Sequence, residues 1–175
     1  MRKRLMICGL LASLVCLAIP SVSIAQDNSS VTMQLNSVKA IVDRLKKDCV
    51  QMEAYTRSNN TSWQTHGAAL TKMGNDVNEL QENMRGLQAH RPNASPWQQD
   101  AIDRIAGLTN DLATSMNATI AQLNKSKNQP TAPPYPDYVK ANTRLVNDLA
   151  AEIDGAIDSG QAKAAMDAAQ KQLPQ

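Results

Sequence analysis

The chain of 175 residues carries 18 basic and 16 acidic side chains, and its formal charge of +2 excludes a strongly basic, nucleic-acid-binding surface. It contains no phenylalanine, and only 3% of its residues are aromatic. Its core must therefore consist of Leu, Ile, Val, Met and Ala, a composition that favours helices.

The first 25 residues have the pattern of a secretory signal peptide. A basic segment at residues 2–4 precedes an apolar stretch over residues 5–19, and the sequence SIA at residues 23–25 is a cleavage signal. The alternative, a retained membrane anchor, is disfavoured because the apolar stretch is short and ends at Pro20. Cleavage would leave 15 basic and 16 acidic side chains, a net charge of −1. We expect an exported protein, periplasmic or secreted, that binds no nucleic acid and keeps no stable membrane anchor.

The first predicted helix covers about residues 31–57 and follows a polar segment, residues 26–30, that we expect to be disordered. Its apolar side chains recur at steps of four and three residues, which places them on one stripe of a helix. These side chains are Val31, Leu35, Val38, Val42, Leu45, Cys49 and Met52. Cys49 is alone outside the signal peptide, so no internal disulfide is expected. We predict a buried thiol, and a disulfide between two copies is the alternative.

Two further amphipathic helices are predicted at about residues 62–90 and 96–125. The second helix should end before Pro92, because proline disfavours helical geometry in the residue that precedes it. The sequence SPWQ at residues 95–98 gives the third helix a capping box and a first-turn proline. The expected inward residues are Trp63, His66, Leu70, Met73, Val77, Leu80, Met84 and Leu87 on the second helix, and Trp97, Ala101, Ile105, Leu108, Leu112, Met116, Ile120 and Leu123 on the third.

A proline-rich connection at residues 124–138 should be extended in a polyproline-like conformation. The alternative is a recognition motif for a proline-binding partner. A fourth helix is predicted over residues 137–158. Its expected inward residues are Val139, Val146, Leu149, Ile153 and Ile157. Gly160 marks either a break or a soft point, and residues 161–173 continue as a helix with a weak, Ala-rich face.

Four amphipathic helices with short or stiff connections predict an all-α fold. The expected architecture is an antiparallel (up-down) four-helix bundle over residues 31–173, with a short C-terminal helical extension. A long coiled-coil dimer is the alternative, and the prolines between the helices count against it. The sequence leaves the oligomeric state open.

The up-down topology predicts that aromatic side chains gather at one end of the bundle, where the second and fourth helices begin. The candidate ligand-binding residues at this end are Tyr55, Trp63, His66, Tyr135 and Tyr138. In the pocket interpretation, an aromatic wall and the histidine hold a small molecule. In the alternative interpretation, the tryptophan and the histidine only close the end of the bundle. Trp97 should close the opposite end.

The sequence contains no arrangement that points to catalysis, a metal or a cofactor. It lacks the c-type haem motif, a His/Cys cluster for zinc, the Glu-x-x-His pairs of ferritin-like proteins, the Gly-x-Ser-x-Gly motif and a Gly-rich phosphate loop. Cys49 and His66 could imitate a Cys–His pair, but both positions predict burial, where a thiol stays protonated. We therefore expect no catalytic residues, no metal and no cofactor.

The block SPWQQDAIDRI at residues 95–105 is followed by YPDYVKANTRLVNDLA at residues 135–150. With these blocks, the chain resembles small exported bacterial helical proteins that share an SPWQQ-AIDRI block. The similarity extends over roughly residues 60–160. It implies an exported compartment and a helical fold, and it transfers no site, because such proteins have no established activity.

These observations predict a non-enzymatic protein of the bacterial cell envelope that binds another macromolecule, such as a protein partner, or has a structural role. The first alternative is a small-molecule binder that uses the end of the bundle with Tyr55, Trp63, His66 and Tyr138. A second is an enzyme whose catalytic residues come from a partner. An enclosed cavity that reaches His66 would favour the small-molecule binder. A filled core with an exposed apolar strip would favour a protein partner.

Overall fold

Four long helices account for most of residues 29–171, which are the residues that the computed structural model describes. The helices are α1 (Ser29–Thr56), α2 (Trp63–His90), α3 (Pro96–Lys125) and α4 (Tyr135–Lys171), and a 3-10 turn occupies Arg91–Asn93. No strand occurs in this part of the chain, so the predicted all-α class is confirmed. The predicted signal peptide, residues 1–25, lies outside the described residues.

The helices form the predicted up-down bundle. Each helix packs against two neighbours, in the ring order α1, α2, α3, α4 and back to α1. Arg44 of α1 contacts Asp76 of α2, and Tyr55 of α1 contacts His66 of α2. The contacting residue on α2 therefore has a lower number as the residue number on α1 increases, so the two helices are antiparallel. Within residues 29–171, no helix has an apolar stretch long enough to cross a bilayer.

The apolar stripe predicted for α1 lies in the core. All seven predicted side chains are buried, and Ile41 joins them. The helix begins at Ser29, so two residues of the segment expected to be disordered are helical. On α2 the predicted inward side chains are likewise buried, except Trp63, which is half-buried.

The prediction for α3 is wrong at Ile120, which is 36% exposed because Thr119 takes the inward position. The Thr119 hydroxyl donates to the Ser115 carbonyl (2.8 Å) and accepts from Nδ2 of Asn142 (2.8 Å). Buried Thr109 donates in the same way to the carbonyl four residues earlier (2.8 Å). Because their hydroxyls have partners, these threonines can replace apolar residues in the core.

The connection between α3 and α4 consists of successive turns, so the predicted polyproline-like conformation is wrong. The backbone N–H of Gln129 donates to the Ser126 carbonyl (2.9 Å), and that of Ala132 donates to the Gln129 carbonyl (3.1 Å). Helix α4 already begins at Tyr135, two residues before the predicted start. Pro136 fits there because a first-turn residue needs no helical N–H bond.

Gly160 does not interrupt α4, so the two predicted segments at residues 137–158 and 161–173 are one helix as far as Lys171. A Cβ atom at Gly160 would lie 2.6 Å from Cη2 of Trp97, closer than van der Waals contact allows. The glycine therefore lets the indole lie directly on the helix backbone. Trp97 packs at the end of the bundle that the sequence predicted for it.

Helix α4 continues beyond the first turn of α3. Among its described side chains, Ala156 is the last that is buried. Gly160 lies level with Trp97 in the first turn of α3, so the following residues have no neighbouring α3 turn beside them. On the other side, Lys39 of α1 pairs with Asp154, so the first turn of α1 lies level with about residues 161–164. We call residues 161–171 the α4 arm, and at 1.5 Å per residue its residues 165–171 extend roughly 10 Å beyond α1.

Candidate functional site

Tyr55, His66 and Tyr135 form an aromatic cluster at the end of the bundle where α2 and α4 begin. The His66 side chain is fully buried, and its ring lies 5.4 Å from that of Tyr135 and 5.7 Å from that of Tyr55, both edge to face. Three of the five predicted ligand-binding residues are therefore in contact. Edge-to-face packing is the arrangement that aromatic rings favour in a protein core.

The start of α2 fixes the position of His66. The Ser62 hydroxyl oxygen accepts a hydrogen bond from the backbone N–H of Thr65 (3.2 Å) and caps the helix. Trp63 is then the first helical residue, and His66 comes one turn later, where a side chain points inward.

The polar atoms of the cluster are only partly paired. Nδ1 of His66 and the Tyr135 hydroxyl share a hydrogen bond of 3.2 Å, whereas Nε2 of His66 is buried without a partner among the described residues. Burial lowers the pKa of His66 and raises the pKa of Tyr135. Both groups are therefore neutral near pH 7, and the cluster presents no charge to a ligand.

The other two predicted residues lie outside this cluster. Trp63 is half-buried beside α3, and Nζ of Lys127 lies 4.6 Å from the centre of one of its rings. Tyr138 is 36% exposed on α4. Cys49 is buried as predicted, and burial raises its thiol pKa to about 12. Within residues 29–171, no three His, Cys, Asp or Glu side chains are placed to hold a metal ion.

A groove runs along the seam between α2 and α3, and we call it the α2/α3 groove. Three cavities of about 360, 320 and 130 Å³ follow one another along it. Leu70, Thr71 and Ile120 line both the first and the second cavity, and Gln81 lines both the second and the third, so neighbouring cavities share walls. Trp63 forms one end of the groove and Gln88 lies at the other.

The groove has an apolar floor and walls made mostly of uncharged side chains. Its floor consists of the core side chains Leu70, Val77, Met84, Met116 and Leu123. Amide side chains line its walls, namely Gln64, Asn75, Asn78, Gln81, Gln88, Asn110, Asn117 and Asn124, and Arg85 is the charged residue among its lining. The space beside Gly74 is open, because a Cβ atom at this position would meet no other atom within 4 Å.

The charges of the bundle lie on its other seams. Ion pairs join α1 to α2 (Arg44–Asp76 and Lys72–Asp48), α1 to α4 (Lys39–Asp154) and α3 to α4 (Arg104–Glu152). Within residues 29–171, no ion pair joins α2 to α3, although Arg91 of the connecting turn pairs with Asp103. The α2/α3 seam is thus uncharged over most of its length, and the core side chains at its base are at most 4% exposed.

The apolar pattern did not predict this groove, although the sequence contains a signal for it. On α2, Thr71, Gly74, Asn75, Asn78 and Gln81 occupy positions i, i+3, i+4, i+7 and i+10 beside the apolar stripe. A helix surface of small and amide residues, without charges, differs from the charged outer surface expected of a bundle helix. No family model, curated protein or solved structure matches the chain.

Proposed function

We propose that this chain is a non-enzymatic, exported protein of the bacterial cell envelope that binds a helical segment of a protein partner in the α2/α3 groove. The observation that supports this proposal is the groove along the α2/α3 seam, whose walls are mostly amide side chains and which exposes the apolar side chain of Ile120 (36%). An exposed apolar side chain bordered by polar ones is a surface that a protein partner can cover.

The dimensions of the groove favour a helix as its occupant. From Gln64 to Gln88 the groove follows α2 over roughly 36 Å, at 1.5 Å per residue. A helix that binds in such a groove inserts side chains at positions i, i+3, i+4 and i+7. Small residues such as Gly74 and Ala113 would let its backbone come close to α2 and α3.

The walls favour an uncharged partner surface. Asparagine and glutamine both donate and accept hydrogen bonds, so they can pair with the polar side chains that flank an apolar stripe. A charged side chain would lose water without gaining an opposite charge along most of the groove. The expected partner helix therefore has an apolar stripe of small residues and uncharged polar flanks.

Site-specific photo-crosslinking in the native envelope tests this proposal. A benzophenone amino acid at Asn117, exposed on the wall of the groove, should form an adduct with a protein. The same group at Lys47, exposed on α1, is the control and should form none. The proposal is wrong if Asn117 gives no protein adduct, or if both positions give the same adducts.

A second candidate function is the binding of an apolar small molecule at the Trp63 end of the groove. The cavity there measures about 360 Å³, within the range of ligand sites, and Leu70, Ile120 and Leu123 give it apolar walls. Native mass spectrometry of the purified protein would detect a bound molecule, and the variant Trp63→Ala should lose it. A mass equal to that of the chain alone would contradict this candidate.

A further inference from the structure

We propose that the α4 arm of one copy occupies the α2/α3 groove of a second copy, so that two chains form a symmetric dimer. This inference rests on the proposed function, because it names the partner of the same groove.

The arm presents an apolar face that no described residue of its own chain covers. Ala162, Ala165, Met166 and Ala169 recur at the i, i+3, i+4 and i+7 positions of a helix, and all four are exposed. Met166, at 72%, is the most exposed large apolar side chain among the described residues. This is the pattern of anchors with which a helix binds in a groove.

The arm cannot reach the groove of its own chain. Helix α4 packs against α1 and α3, whereas the groove needs α2 as one of its walls. The helix is continuous through Gly160, where the contact with Trp97 leaves no room for the backbone to fold toward α3. An arm that continues α4 as one helix therefore does not reach the groove of its own chain.

The arm and the groove match in chemistry. The alanines of the arm permit a close approach to the small groove residues Ala106 and Ala113. On the arm, Gln161 and Gln170 lie on the two sides of the apolar face, where they would meet the amide side chains of the groove walls. Lys163 pairs with Asp167 within the arm, so these two charges need no partner in the groove.

Symmetry doubles the contact. Because arm and groove belong to the same chain, a two-fold axis that places one arm in the partner's groove places the second arm in the first groove. Each arm would enter the groove from the end where Gln88 lies, because both the arm and this end of α2 are at the Trp97 end of the bundle. Two arms together offer the area of a small but specific interface, on the order of 1,200 Å².

Sedimentation equilibrium of the purified mature protein tests the inference. One variant changes the apolar face of the arm, and a second variant changes the opposite side of the arm. The protein should dimerise with a Kd on the order of micromolar. Ala165→Glu should weaken the dimer at least about tenfold, because the glutamate would lose water against the apolar floor of the groove, where Arg85 already pairs with Glu82. Ala164→Glu is the matched control, since Ala164 lies on the opposite side of the arm, and it should leave the Kd unchanged. Both alanines are exposed in the single chain, so both variants should fold like the parent.

A second pair of variants tests the groove side. Asn110→Trp would fill the groove and should weaken the dimer in the same way. Gly107→Trp is the control, because Gly107 is exposed on α3 outside the groove and a Cβ atom there would meet nothing within 4 Å. A monomer at all concentrations, or equal effects of Ala165→Glu and Ala164→Glu, would overturn the inference. In that case a crosslink from Asn117 to a different protein would still support the proposed function. The absence of any crosslink would contradict the proposed function as well as the dimer.

Discussion

His66 is a buried imidazole without a charged partner, and this determines how the bundle should respond to acid. Burial lowers its pKa from the ordinary value of 6.5. Above pH 6.5 the histidine is neutral in both the folded and the unfolded chain, so it makes no pH-dependent contribution. Below pH 6.5 the unfolded chain binds a proton that the folded chain does not bind. The free energy of unfolding should therefore fall as the pH falls, by up to about 1.4 kcal/mol per pH unit.

The variant His66→Gln should remove this contribution. Urea unfolding between about pH 7 and pH 5 should show a smaller loss of stability for His66→Gln than for the parent protein. His90→Gln is the control, because His90 is half-buried at the far end of α2 and makes no contact with the aromatic cluster. Equal pH dependence of His66→Gln and the parent would show that His66 is not the group responsible.

Residues of this kind mark the limit of what the sequence could predict about the site. The helical period placed His66 inward, and the up-down topology placed Tyr135 near it. The sequence could not show that α4 begins at Tyr135, because a proline-rich segment usually precedes a helix rather than forming its first turn. Nor could it show that Trp63 faces the α2/α3 groove, because the helical spacing of position 63 is the same whether its indole is buried or exposed.

The packing of α4 against Trp97 requires a glycine at position 160. Gly160→Ala should lower the stability of the protein by about 1 kcal/mol, because the new Cβ atom would lie 2.6 Å from the indole of Trp97 and the ring would have to move. In a Trp97→Ala background the same change should raise stability by up to about 1 kcal/mol, since alanine is the better helix former. Thermal unfolding of the four proteins measures this coupling.

Gly155→Ala provides the matched control on the same helix. A Cβ atom at Gly155 would meet nothing within 4 Å, so this change should be stabilising in both backgrounds. If Gly160→Ala stabilised the parent as much as Gly155→Ala does, the indole would not restrict position 160.

The helices also show why an apolar pattern predicts some surfaces of the bundle better than others. The stripe of α1 consists only of apolar residues, so its period alone located every predicted core position. The core surface of α3 includes Thr109 and Thr119, whose hydroxyls are bonded to their own helix backbone, and the sequence does not show these bonds. The pattern therefore assigned Ile120 to the core, whereas it lines the α2/α3 groove.

For the whole molecule, Cys49 offers a measure of how the bundle opens. Its thiol is buried in the core, and its pKa is raised to about 12, so it should not react while the bundle is intact. Alkylation by iodoacetamide at pH 8 should be at least about a thousandfold slower than in the unfolded chain, because domains of this size open rarely. The variant Lys47→Cys supplies an exposed thiol as an internal control, and it should react rapidly. Rapid alkylation of Cys49 itself would mean that the bundle opens locally around α1.

The uncharged α2/α3 seam has a consequence for the rate at which a partner binds there. Charged surfaces accelerate encounter by long-range attraction, and the groove has almost no charge with which to attract a partner. Association should therefore proceed at the rate of unsteered encounter, roughly 10⁵ to 10⁶ per molar per second, and should change little with ionic strength. Discrimination between partners would then reside in how long each complex lasts, a property set by the fit of small side chains against the groove floor.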